Sequence, residues 1–240
     1  TVVGNTATTG NLGATGGGMN LQAVGNSPLD VQMFNVTVQG NIAGNDFSSS
    51  GGGIALNLNG GTATLRRVRI LDNHAARVGA TLGGQSQGGG IYLSNGNLRM
   101  ENVVIAGNSA RRGDALAVQN SNALTTTVNM NYVTLVGGNP RAGGGADSVV
   151  RASGTWTNFM LLNTLISGGP VAFEAQNFAQ DSTLDYYNVL IDENVSTTIT
   201  GTISASSGPI SRFIAAKYSS SGKSTRSRVI QRSPSRSWVR

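Results

Sequence analysis

Apolar residues recur along this chain at four fixed offsets that repeat every 25 to 35 residues. Offset 0 is occupied by Val36, Val68, Val103, Val133, Thr164 and Val189, and offset +2 by Val38, Ile70, Ile105, Leu135, Ile166 and Ile191. Offset −5 holds Val31, Ala63, Leu98, Val128, Phe159 and Leu184; offset −3 holds Met33, Leu65, Met100, Met130, Leu161 and Tyr186. Steps of two within each half are the alternation of a β-strand, and the odd step between −3 and 0 predicts a bend. Offsets −2, −1 and +1 are polar or mixed and are expected to face outward.

A second strand, led by glycine, precedes the first copies. It reads Gly16-Gly17-Gly18-Met19-Asn20-Leu21, then Gly51-Gly52-Gly53-Ile54-Ala55-Leu56, then Gly88-Gly89-Gly90-Ile91-Tyr92-Leu93, with a degraded copy at 113–118. Glycine suits a tight corner and lets neighbouring backbones approach. One unit of this length cannot bury its apolar face alone, whereas stacked units can. Antiparallel hairpins would recur at 8–12 residues. A repeat near 31 instead sets each strand in parallel above its own copy. The predicted fold is all-β: a single-stranded right-handed parallel β-helix, a β-solenoid of pectate-lyase-like architecture. It has about six coils and, at ~4.8 Å per coil, a length of about 30 Å.

A turn asparagine closes several copies: Asn41, Asn73, Asn108 and, in the last copy, Asn194. These are expected to stack at one corner with amides bonded along the column, in the left-handed conformation that Asn tolerates. The triple-Gly strand, together with a strand ending in Asn108-Ser109-Ala110 or Asn73-His74-Ala75-Ala76, resembles bacterial surface β-helix repeats. It is most similar to the polymorphic outer-membrane protein repeats of autotransporter passengers, although those carry GGAI where this chain has GGGI or GGGM. The resemblance implies a secreted or cell-surface bacterial protein.

Composition agrees with the pattern. Glycine is 34 of 240 residues and asparagine 24, which excludes a helical bundle; charged residues are only 12%. There is no cysteine, so no disulfide or thiolate metal site can form, and no apolar run is long enough for a transmembrane helix. The net charge of +6 is uneven. Residues 1–211 carry −2 and residues 212–240 carry +8. The chain is therefore divided into a β-helix repeat domain, 1–200, expected to be an excerpt of a longer solenoid, and a Ser/Arg-rich basic tail, 201–240. Three readings of that tail stay open: a poorly ordered solvated segment, an arm for anionic surfaces without specificity for nucleic acid, or a non-native terminus.

Polysaccharide lyases and hydrolases need carboxylates converging on one face. Projected on the repeat, the eleven acids form no such cluster. No catalytic residue, cofactor or metal is assigned. The one polar concentration is Arg66, Arg67 and Arg69 beside Glu101 and near His74 and Arg77, a candidate patch for anionic glycans, since guanidinium forks match carboxylates and sulfates. The expected role is a non-catalytic structural or adhesive module, a rigid rod whose outward residues bind carbohydrate or a host or matrix surface. The alternative is a polysaccharide-active enzyme or a carbohydrate-binding β-helix.

Overall fold

The computed structural model describes residues 1–7, 14–44, 49–75, 86–121, 124–138, 148–154, 157–169, 171–176, 183–191, 196–197 and 217–218. Within them every element is a β-strand and every strand pairing is parallel. The chain is a parallel β-solenoid. Its repeat columns are its rungs: Val31 pairs with Ala63, then Leu98, Val128, Phe159 and Leu184 in unbroken register. The glycine-led strands form a second sheet of six, from Met19–Gln22 to Val171–Gln176. A short third side stacks over four levels, Thr6, Ile42, His74 and Ser109. About four turns are thus closed on all three sides, and the two long sheets carry six rungs.

Strand alternation decides what is buried. Val38, Ile70, Ile105, Leu135 and Ile166 at offset +2 are all fully buried, each against its own copy in the next rung. Phe159 and Phe173 meet edge to face inside the last rungs, with centroids 5.0 Å apart, filling with two rings what aliphatic side chains fill earlier.

The predicted bend is present and has one cause. Asn35, Arg67, Asn102, Tyr132, Asn163 and Asn188, all at offset −1, have φ between 47° and 54°. One left-handed residue per rung turns the strand and flips its alternation, which produces the odd step between −3 and 0.

The asparagine corner is a buried ladder. Asn5 Nδ2 donates to Asn41 Oδ1 at 3.0 Å, Asn41 Nδ2 to Asn73 Oδ1 at 2.9 Å, and Asn73 Nδ2 to Asn108 Oδ1 at 2.9 Å. The same oxygens accept the backbone N–H of the preceding asparagine, and Nδ2 of Asn41, Asn73 and Asn108 also donates to a carbonyl of the coil before, Val2 O, Val38 O and Ile70 O. The expected left-handed conformation belongs elsewhere. The positive φ falls on the preceding residue, Gly40, Asp72 or Gly107, which turns the chain so that the asparagine points inward. Asn194 and Arg77 lie outside the described residues.

The glycine triplets answer to this ladder. A methyl group on Gly90 would stand 2.7 Å from Ile105 Cγ2 and 3.2 Å from Asn108 Nδ2; one on Gly53 would stand 3.1 Å from Asn73 Nδ2. Ala115 takes the corresponding place in the next coil, where the ladder has ended and Gly137 pairs with Asn108. The nearest atoms to those methyls are backbone oxygens of the next coil, Ala115 O at 2.6 Å and Gly90 O at 2.7 Å, so glycine is required where neighbouring backbones crowd together and the amide adds to that crowding.

Residues 1–7 form two short strands on the first coil and supply Asn5 to the ladder. The tail lies outside the described residues, apart from Lys217–Tyr218, which pairs with Ser196–Thr197.

Candidate functional site

The outward positions of the bent sheet divide into two regions. The first, on coils two and three, is the predicted basic patch. Arg66 and Glu101 are register partners and form an ion pair, Nε to Oε2 at 3.1 Å, while the guanidinium lies 5.7 Å from the centre of the Phe34 ring. The pair is nearly half exposed, so its contribution is under about 1 kcal/mol. Arg67 occupies the left-handed bend and Arg69 sits between Thr37 and Val104, both exposed and, among the described residues, without an acidic partner. Arg99, two residues before Glu101, is exposed on the same face.

His74 does not join this patch. It lies beyond the next corner, on the third side, where its Nδ1 is 2.7 Å from Ser109 Oγ. The asparagine at 73 is turned inward, and this carries His74 off the arginine face.

The second region is a groove of about 520 Å³ outside the bend of the last three rungs, lined by Tyr132, Asn163, Thr164, Leu165, Asn188, Val189 and Leu190. Tyr132 is 59% exposed and Leu190 48%. The bend amides stack: Asn188 Nδ2 donates to Asn163 Oδ1 at 2.7 Å, and Asn163 Nδ2 to Asn131 Oδ1 at 3.2 Å. Tyr132, Asn163, Leu165, Asn188 and Leu190 were visible as outward positions, whereas Thr164 and Val189 belong to the inward offset 0, and the groove exists only through the register of three rungs.

Sequence reasoning missed a third cluster, on the outer face of the glycine-led sheet. There Ala55, Tyr92, Ala117, Arg151 and Glu174 are in register. Tyr92 Oη donates to Gln119 Oε1 at 2.7 Å, and Ser148 Oγ donates to Glu174 Oε2 at 3.0 Å. Burial pushes the Tyr92 phenol above its usual range, against the opposing Ser94 hydrogen bond and Arg151 charge. Arg151 is lowered, first by burial and then by Arg112, with Glu174 and Tyr92 acting the other way. The only signal was the column position of Tyr92; the strands at 148 and 171 carry Ser148-Val149 and Val171-Ala172 at the register positions of Gly89-Gly90, so the glycines before them fall out of line with the earlier triplets.

Among the described residues, no three His, Asp or Glu side chains are placed to hold a metal ion, and no helix is long and apolar enough to cross a membrane. Comparison with protein-family models, curated proteins and solved structures finds no match for this chain.

Proposed function

We propose that the chain is a non-catalytic structural and adhesive module of a secreted or cell-surface bacterial protein, a rigid rod that presents outward side chains to carbohydrate or to a host or matrix surface. The observation that carries this reading is the exposed group Arg67, Arg69 and Arg99, with Arg69 and Arg99 on paired strands and Arg67 in the bend beside them. The paired backbone holds the three stems at fixed spacing, and guanidinium forks match carboxylate and sulfate pairs. The similarity to autotransporter passenger repeats points to the same role. The test is binding of the whole chain to a surface coated with a sulfated or uronate polysaccharide. The double variant Arg67→Asn, Arg69→Thr places at each position a residue already used there in other rungs. It should weaken binding about tenfold or more, and added salt should weaken the wild type similarly. Undiminished binding by the double variant would count against the row.

A second reading, a polysaccharide-active enzyme, is favoured by the Tyr92, Arg112, Arg151 and Glu174 cluster. Uronate-containing polysaccharides can be incubated with the chain while absorbance of unsaturated products is followed. Turnover lost in Arg151→Lys, or in Arg67→Ala or Arg69→Ala, would replace the non-catalytic reading.

A further inference from the structure

We propose that the groove outside the bend of the last three rungs binds one or two residues of an uncharged hexopyranose chain. This deepens the reading of the chain as a binding module and rests on it, but it assigns a different ligand class to a different place from the arginine row.

The lining selects the class. A pyranose has an apolar C–H face and a rim of hydroxyls, and it needs an apolar or aromatic surface together with groups that both donate and accept hydrogen bonds. Tyr132 supplies an exposed ring and Leu165 and Leu190 an apolar wall. Asn163 and Asn188 supply amides, each of which has two N–H donors and an acceptor oxygen. The stack uses one N–H of Asn163 toward Asn131, which leaves it a second. Among the described residues, no Lys, Arg, His, Asp or Glu lines the groove, so none of them compensates the charge of an acidic sugar. The amides stand one rung apart, about 4.8 Å, close to the length of one pyranose in an extended chain.

The geometry disfavours a peptide. An added peptide strand draws its affinity from unpaired main-chain groups at a sheet edge. Here the wall strand Leu165–Ser167 is paired on both sides, with Thr126–Gly137 and with Leu190–Ile191, so along that strand only side chains face the groove, and main-chain groups lie open only at Leu190–Ile191, which has a single paired neighbour among the described residues.

The position of Tyr132 supplies a clean variant. It sits in the left-handed bend, where four other rungs place asparagine. Tyr132→Asn therefore removes the ring while suiting the backbone, and circular dichroism will confirm that the fold is kept. Tyr132→Phe keeps the ring. Affinity electrophoresis of the whole chain through gels containing a soluble β-glucan or a galactomannan, with polygalacturonate as the acidic control, reads the result. We expect retardation by at least one neutral polysaccharide, insensitive to salt, weakened about tenfold or more in Tyr132→Asn and retained in Tyr132→Phe. No retardation by either neutral polymer, or equal retardation of Tyr132→Asn and wild type, overturns the proposal. If the arginine-dependent binding persists while neutral polymers are ignored, the groove assignment alone falls. If both are absent, the binding-module reading falls with it.

Discussion

Asn73 ties its coil to both neighbours through one buried amide. Its oxygen accepts from Asn41 N and Nδ2 at 3.0 and 2.9 Å, and its Nδ2 donates to Val38 O and Asn108 Oδ1 at 3.1 and 2.9 Å. Replacing it with alanine strands polar groups on three residues away from water. Asn73→Ala should therefore cost about 2–4 kcal/mol, given about 1–3 kcal/mol for each buried group left unsatisfied and some relaxation. Asn73→Asp keeps the acceptor but sets a carboxylate against Val38 O and Asn108 Oδ1. Its folded pKa must then rise above the unfolded value near 4, so stability falls as pH increases through the carboxyl range. At neutral pH the Asp variant should be the less stable of the two, and on acidification it should recover toward Ala. Urea titrations at both pH values check this; a flat Asp profile would mean the amide is not confined as described. The stack was legible in the sequence because three asparagines share an offset. Its conformation was not, because glycine and aspartate one residue earlier carry the turn instead.

At the scale of the strand, alternation across a left-handed bend separates the two faces. Ile105 is fully buried and pairs in register with Ile70 and Leu135, while its neighbour Val104 is 36% exposed. Ile105→Ala should cost about 2–5 kcal/mol through lost burial and the cavity left behind. Val104→Thr should cost under ~1 kcal/mol, as surface changes usually do. Thermal melts that destabilise the two equally would put the register in error. This register was readable because the four columns stay apolar through six copies, with Thr164 the polar exception at offset 0. The glycine-led sheet was readable only through four. Ser148–Gly154 and Val171–Gln176 continue it with Val149 and Ala172 at the register position of Gly90, so the glycine marker is lost from the pattern. That loss hid Arg151 and Glu174.

Among the described residues each rung's strands pair only with the rungs beside it, so stability is close to a sum of rung terms and nearest-neighbour interfaces. The same geometry explains which sites could be foreseen. The arginine row lies within two adjacent rungs, with Arg67 and Arg69 side by side at one bend, whereas the groove draws Tyr132, Asn163 and Asn188 from three rungs and the His74–Ser109 pair lies around a corner. Local opening should follow the stack. Strands Asn97–Asn108 and Thr126–Gly137 are each flanked by rungs on both sides, and their inward residues are fully buried. Val2–Val3 and Leu190–Ile191 each have a single paired neighbour among the described residues. Amide hydrogen exchange should therefore be slowest at Ile105 and Leu135, which open only with the whole stack, and fastest in the outer strands, which can peel away alone. The expected profile falls outward from the third and fourth rungs in steps of one rung. Equal protection from Val38 to Ile166 would instead show that the solenoid opens as a single cooperative unit, and the nearest-neighbour account would have to be abandoned.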